Sequence, residues 1–232
     1  MMKKLGLIGG IGPESTVPYY RGIVYGVQSK VGKDFYPNLT IESLNVFNVL
    51  RMCRDKEHEA LIEYLMVAIN NLKSSGADFV AMSGNTPHIV LDELKKRSSI
   101  PLVSIVEVTC DEVKKLGFTK IGLLGTIFTM NEDFFKKPFV ESQIQVITPS
   151  KEEKELINQK ISNELELGIV NKETQAEFIK IVERMKVEEG IQAIVLGCTE
   201  LPMLFNNHEM PVACLDTMKI HIEALINRII EE

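Results

Sequence analysis

Short apolar runs alternate with longer helical patterns along the whole chain. The first half contains the runs KLGLIGG, NLTIESLNV, DFVAMSG and PLVSIV, separated by amphipathic stretches around residues 14–31, 55–75 and 87–97. Such alternation is typical of an α/β protein, in which helices cross over between mainly parallel strands. We therefore predict an α/β fold in which helices cover both faces of each sheet.

The second half of the chain repeats this pattern. KLGLIGGI at residue 4 and KIGLLGTI at residue 120 agree at five of eight positions. FVAMSGNT at 79 is echoed by AIVLGCTE at 193, and IPLVSI at 100 by MPVACL at 210, so the offsets are 116, 114 and 110 residues. Three matches in the same order predict two pseudo-symmetric lobes, each a mainly parallel four-stranded sheet flanked by helices. We expect lobes at residues 1–116 and 117–216, with the C-terminal helix, 217–232, packing back on the first.

Parallel sheets bind ligands outside the carboxyl ends of their strands. Two similar lobes that face each other would bring both sets of strand ends to one cleft. We therefore expect the active site in the cleft between the lobes, lined by residues 9–12, 84–86, 125–126 and 197–200.

Composition excludes several classes of function. The net charge of −6 and the absence of a Lys/Arg block argue against a nucleic-acid surface. No apolar run approaches the length of a membrane span, and the apolar segment after Lys4 is too short for a secretory signal. The four cysteines have no metal-binding spacing. We expect a cytoplasmic protein with reduced cysteines and no metal.

The first loop, GGIGPES, has glycines suited to a tight strand-to-helix turn. Its spacing is neither the dinucleotide-binding GxGxxG pattern nor a Walker loop, which argues against nucleotide binding. The turn at Gly10 and Ile11 could instead bind a carboxylate through its backbone amides.

The loops SGNTPH (83–88) and GCTELP (197–202) occupy matching places in the two repeats, and only the second contains a thiol. Thr86 is predicted to cap a helix that Pro87 begins, and Thr199 and Glu200 open the corresponding helix. A helix N-terminus would lower the pKa of Cys198, favouring its thiolate. A lone cysteine can also be a small buried hydrophobe, but this position favours a functional role. The remaining cysteines are predicted to be structural: Cys53, Cys110 and Cys214.

The histidines carry less information. His88 lies four residues after Gly84 and could either orient the site or cap and pack a helix. The other three have no partnered motif and are expected to be solvent-facing or structural: His58, His208 and His221.

With these motifs in view, the chain resembles the cofactor-independent aspartate/glutamate racemase family nearly end to end. LGLIGGIGPESTVPYYRGI, LLGTIFTMNEDFF, LGCTELPML and PVACLDTMKIH are similar to four family motifs in the same order. The resemblance implies an amino-acid racemase that uses no pyridoxal phosphate or other cofactor. It also implies acidic amino acids as substrates and commonly a homodimer. Two acid/base groups, usually both cysteines, would stand on opposite faces of the substrate α-carbon.

On this interpretation the substrate is a small dicarboxylic amino acid. We expect it to contact backbone amides and the residues Gly10, Ile11, Asn85, Thr86, Thr126, Thr199 and Glu200. A cation should face the side-chain carboxylate, and the candidates are Arg51, Arg54 and Lys160, although for each of them alone a solvated surface charge is the favoured interpretation.

The chain departs from the family where the first cysteine is expected, because Gly84 stands there. Glycine has no side chain to exchange a proton, and Ser83 is expected to point to the opposite face of the strand. Cys198 would then be the retained acid/base, with a water or His88 on the first face. Two alternatives stay open: a one-base relative with impaired racemisation, similar to a decarboxylase, and a non-catalytic amino-acid-binding protein.

Overall fold

The computed structural model describes residues 2–205 and 209–231 and contains two four-stranded sheets. One compact unit comprises Met1–Val108 with Met218–Glu232, and the other comprises Thr109–Thr217. The chain passes from the first unit to the second within helix α5 (Ile105–Lys115).

The first sheet has the strand order β2-β1-β3-β4, with every neighbouring pair parallel. Its strands are β1 (Leu5–Gly9), β2 (Leu39–Ser43), β3 (Phe79–Met82) and β4 (Leu102–Val103). Every residue of the central strands β1 and β3 is buried, as expected when helices cover both faces of a parallel sheet. Its helices are α1 (Pro13–Val31), α2 (Val46–Arg54), α3 (His58–Ser74), α4 (Leu91–Arg97) and the C-terminal α11 (Thr217–Ile230).

The second sheet has the order β6-β5-β7-β8 and is again parallel throughout. Its strands are β5 (Lys120–Leu124), β6 (Gln145–Ile147), β7 (Ala193–Leu196) and β8 (Ala213–Asp216). The helices are α6 (Ile127–Asn131), α7 (Asp133–Glu141), α8 (Lys151–Asn163), α9 (Lys172–Arg184) and α10 (Leu201–Phe205). The two sheets share one strand order, which confirms the predicted fold class of two similar four-stranded α/β lobes.

Each sheet has its own apolar core. In the first, Leu225, Ile226 and Ile229 of α11 belong to the same buried cluster as Leu5 and Phe79, so the C-terminal helix completes the first core. In the second, the buried cluster includes Cys198 among residues from β5, β7 and the surrounding helices. Within the described ranges, no helix combines the length and apolarity needed to cross a membrane.

The helix predicted around residues 55–75 is confirmed as α3, but the sequence analysis missed α2, which begins at Val46 soon after β2 ends. One local prediction was wrong. Thr86 was predicted to cap an α-helix, but a 3₁₀ helix spans Thr86–Val90, and Asn85 precedes it without a side-chain capping bond. The backbone of Asn85 already has helical angles (φ −79°, ψ −43°), so the helical turn begins one residue before the predicted cap at Thr86.

Candidate active site

The Cys198 loop begins where β7 ends. The backbone N–H of Gly197 donates to the carbonyl of Leu124, 2.6 Å away, and so extends the pairing between β7 and β5 by one residue. A Cβ atom at Gly197 would lie 2.9 Å from Leu123 Cδ1 and 3.0 Å from the Leu124 carbonyl oxygen, so only glycine fits. The close packing of β5 against this loop therefore fixes the backbone from which Cys198 projects.

Cys198 is hydrogen-bonded to a carboxylate. The residue is 8% exposed, and its thiol donates to Oε2 of Glu200, with a separation of 2.8 Å between Sγ and Oε2. The hydroxyl of Thr199 donates to the same oxygen at 2.9 Å. The loop thus holds a thiol, a hydroxyl and a carboxylate in mutual contact at the carboxyl end of a parallel strand.

The electrostatics of Cys198 differ from the expectation. Burial raises the pKa of the thiol well above its ordinary value, and the carboxylates of Glu200 and Glu166 raise it further. The expected lowering of the Cys198 pKa by a helix N-terminus was wrong, because the thiol is buried and the Glu200 carboxylate lies 2.8 Å from the sulfur, while the helix that follows, α10, has only five residues. The resting group is a neutral thiol, and the thiolate that forms from it is a strong base.

Glu166 was missed by the sequence analysis. It lies in a short 3₁₀ turn, Leu165–Leu167, and its pKa is raised by burial and by the charge of Glu200. Two carboxylates therefore influence one thiol. The sequence offered one weak signal, an acidic residue with no basic neighbour in the turn after a helix.

The loop after β5 adjoins the Cys198 loop. A Cβ atom at Gly125 would lie 3.2 Å from the carbonyl oxygen of Gly197. Thr126 caps α6, its hydroxyl accepting from the N–H of Thr129. The N–H of Ile127 donates to Asn158 Oδ1 at 2.8 Å. These groups already have partners inside the chain, so their role is to hold the loop in place.

The first unit carries the corresponding turn at residues 9–12. Gly10 and Gly12 have positive φ values of 72° and 87°, which favour glycine. A Cβ atom at Gly10 would also overlap the backbone of Leu44. The N–H of Gly10 donates to Thr16 Oγ1 at 2.9 Å, so this amide is engaged within the turn.

Gly84 follows β3 and lies beside Ile11. A Cβ atom at residue 84 would lie 2.9 Å from Cγ2 of Ile11. The neighbouring Ser83 is fully buried, and its hydroxyl lies 3.3 Å from that of Thr16. Ser83 therefore faces the interior of the turn, as the alternation of strand side chains predicted.

His88 is a buried structural group. It is 3% exposed, and its Nε2 accepts a hydrogen bond from the N–H of Ile105 at 3.3 Å. Burial lowers the pKa of His88 to about 4, so the imidazole is neutral at neutral pH. With Nε2 accepting, the proton of the neutral ring is on Nδ1. His88 therefore ties the Gly84 loop to the start of α5, which favours the capping and packing interpretation over the orienting one.

Of the other described histidines, His221 is buried and His58 is exposed. His221 is fully buried, with Nδ1 2.7 Å from the hydroxyl of Tyr19 and Nε2 3.2 Å from the carbonyl of Val103. Because a carbonyl only accepts, Nε2 donates and Nδ1 accepts from the tyrosine. His58 is exposed, and His208 lies outside the described residues.

Each of the three candidate cations is paired with a nearby carboxylate. Arg51 lies 2.6 Å from Glu57, Arg54 lies 2.9 Å from Asp55, and Lys160 lies 2.7 Å from Glu164. These pairs fit the interpretation of the three cations as surface charges that are satisfied locally.

The model of the family described as Asp/Glu/Hydantoin racemase matches residues 8–225. The chain belongs to this family. Among its relatives is the broad specificity amino-acid racemase of Bacillus subtilis (strain 168), 23% identical over 219 residues, or 92% of each chain.

Solved structures of racemase-family proteins are similar to the whole chain. A candidate Asp/Glu racemase from Yersinia pestis is 32% identical with a TM-score of 0.93, covering 99% of this chain and 100% of that one. An aspartate racemase homologue from Pyrococcus horikoshii OT3 is 36% identical with a TM-score of 0.85 and the same coverage. This racemase-family chain is therefore an enzyme of the isomerase class.

Proposed function

We propose that the chain racemises a small amino acid, aspartate or glutamate, without a cofactor, and that Cys198 is the acid/base group on one face of the α-carbon. The observation that carries this proposal is the hydrogen bond from the Cys198 thiol to Glu200, 2.8 Å long, at the carboxyl end of β7. A buried thiol with a carboxylate to accept its proton can act as a base and then as an acid.

The chemistry begins with transfer of the thiol proton from Cys198 to Glu200. The thiolate then removes the α-proton of the substrate, and the electron pair of the broken C–H bond moves into the α-carboxylate to form an enediolate. Asn85, Thr86 and Thr199 are proposed to bind that carboxylate and stabilise its developing charge. Return of the proton from the Cys198 thiol to the same face restores the substrate, and Glu200 then gives its proton back to the thiolate. Delivery of a proton from a water molecule to the opposite face gives the enantiomer, and the hydroxide that remains takes the proton held by Glu200.

We also propose, from the sequence, that the Gly84 and Cys198 loops serve one substrate. The same proposal includes a homodimer and a place in the reducing cytoplasm. The fixed turn at Gly10 and Ile11, with Thr126 and the backbone at Glu200, would shape the substrate site. For one of the three candidate cations to face the substrate side chain, Arg51, Arg54 or Lys160 would have to leave its present carboxylate partner.

A second candidate is a one-base relative that removes and returns the α-proton on one face. The absence of a side chain at Gly84 favours it, because inversion needs a proton donor on each face. A non-catalytic amino-acid-binding protein is the third reading, and it predicts binding without proton exchange.

The test is proton NMR of L-aspartate and L-glutamate with the protein in D₂O, alongside chiral chromatography of the products. Loss of the α-proton signal with formation of the D-enantiomer supports the racemase, and loss with retention supports the one-base relative. Cys198→Ala should abolish both, whereas Cys53→Ala, a buried cysteine outside the site, should retain them. Binding with no exchange would reject catalysis on these substrates.

A further inference from the structure

Ile11 is held in a rigid turn. It stands between Gly10 and Gly12, both with positive φ. The hydroxyl of Ser15 donates to the carbonyls of Ile11 and Gly12 at 3.0 Å each. The hydroxyl of Thr16 donates to the Gly12 carbonyl at 2.9 Å. These bonds connect the turn to the first turn of α1, so the backbone of Ile11 cannot move without breaking several of them.

The side chain of Ile11 occupies the space next to Gly84. A Cβ atom at residue 84 would lie 2.9 Å from Cγ2 of Ile11, 3.5 Å from its Cβ and 3.7 Å from its carbonyl oxygen. Cγ2 is the methyl group on the branched β-carbon and not the far end of a flexible chain, so it cannot swing away freely. Ile11 is itself only 9% exposed. The two residues are sterically coupled: isoleucine at 11 requires glycine at 84.

The neighbouring polar groups do not restore an acid or base here. Ser83 points toward Thr16, with their hydroxyl oxygens 3.3 Å apart, and the Nε2 atom of His88 accepts from the N–H of Ile105. The side-chain amide of Asn85 does not titrate in the physiological range. Residue 84 itself is therefore flanked by the apolar side chain of Ile11 and offers only a bare backbone.

We infer that Ile11 determines the stereochemical outcome of the reaction, because it excludes any side chain at residue 84 and makes the first face apolar. This inference rests on the proposed function. Cys198 breaks the α C–H bond, its proton exchanges with solvent through Glu200, and the deuterated thiol forms a C–D bond on the same face. The enzyme thus exchanges the α-proton with retention faster than it inverts the α-carbon.

The experiment compares four proteins: wild type, Gly84→Cys, Ile11→Leu and the double variant. Leucine keeps the volume of isoleucine but has no methyl on its β-carbon, so it removes the atom that opposes a Cβ at residue 84. Exchange is followed by NMR in D₂O and inversion by chiral chromatography. We expect wild type to exchange faster than it inverts, Gly84→Cys to gain little inversion, and Ile11→Leu to gain none. The double variant should gain inversion by roughly 10²-fold, as expected for a positioned acid/base group.

A second experiment tests the steric coupling of Ile11 and Gly84 without measuring enzyme activity. Gly84→Ala adds the Cβ alone and should lower the unfolding midpoint, and Ile11→Leu in the same protein should recover part of that loss. Absence of this recovery overturns the coupling of the two residues.

Different outcomes test the role of Ile11 and the proposed function of Cys198. Exchange and inversion at equal rates in wild type, or a full gain of inversion in Gly84→Cys alone, overturn the role of Ile11 and leave Cys198 chemistry intact. If none of the four proteins exchanges the α-proton, although thermal unfolding shows that each is folded, the proposed function is overturned and this inference with it.

Discussion

The Sγ atom of Cys198 lies 2.8 Å from Oε2 of Glu200, and the thiol donates its proton toward that carboxylate. A carboxylate that accepts from a thiol stabilises the neutral form and repels the thiolate, so the same residue that stores the proton also raises the pKa of the sulfur. The hydrogen bond and the charge of Glu200 therefore act in the same direction on the Cys198 thiol.

We expect Glu200→Gln to separate these two effects. The pKa of Cys198 should fall, because the amide carries no charge, while α-proton exchange should fall by roughly 10²-fold, because glutamine cannot take the thiol proton. The thiolate absorbance should be titrated against pH, with the Cys198→Ala spectrum subtracted to remove the other three cysteines. An unchanged titration midpoint would show that burial alone sets the thiol pKa.

Glu166→Gln should lower the pKa of Cys198 by less than Glu200→Gln does. Glu166 is the last of the causes that raise the Cys198 pKa, and its charge would also repel the proposed substrate, which carries two carboxylates. We expect the KM for L-aspartate to fall by roughly twofold to fivefold, as is typical of one partly exposed charge. L-Alanine, which lacks the second carboxylate, is the matched substrate control. An equal change for both amino acids would argue against charge repulsion.

The buried histidines should make the first unit acid-sensitive. Burial lowers the pKa of His88 to about 4 and that of His221 to about 3, both below the ordinary histidine value. The unfolded chain then binds protons more readily than the folded one, so stability is complete above about pH 6.5 and is lost as the pH falls toward 4. The loss at low pH should reach about 3 kcal/mol for His88 alone.

Urea unfolding at a series of pH values measures this loss. His88→Gln should flatten the acid limb of the profile because it removes one buried titrating group. The exposed His58 provides the control, and His58→Gln should leave the limb unchanged. An acid limb that is equally steep in wild type and His88→Gln would assign the loss to carboxylates.

Gly10→Ala should be more destabilising than an ordinary substitution at positive φ. Alanine there would combine the strain of φ 72° with overlap of the Leu44 backbone, for a cost of about 3 kcal/mol or more. Gly76→Ala is the matched control, because φ is 85° and a Cβ there would meet no atom within 4 Å. Its cost should be about 1 kcal/mol. Equal unfolding free energies for the two variants would remove the steric argument for this turn.

Much of the architecture was determined by the sequence alone. The three matched segments predicted two sheets of the same kind, and the structure has two with one strand order, because buried parallel strands require continuous apolar runs that helices must cover. The glycines of the first turn and of the Cys198 loop were also recognisable, since close backbone approach leaves few residue types to choose from. The helix α2 was less predictable than α3, because only nine residues form it and a short segment gives a weak apolar period.

Only the tertiary structure decided the chemistry of the site. The sequence places a thiol beside a threonine and a glutamate but does not say whether the glutamate side chain turns toward the sulfur, and that contact raises the Cys198 pKa instead of lowering it. In the same way, Ile11 and Gly84 are far apart in the chain and become neighbours only when β1 pairs with β3. Burial, charge and steric fit depend on distances between side chains, and folding brings together groups whose sequence positions carry no record of that contact.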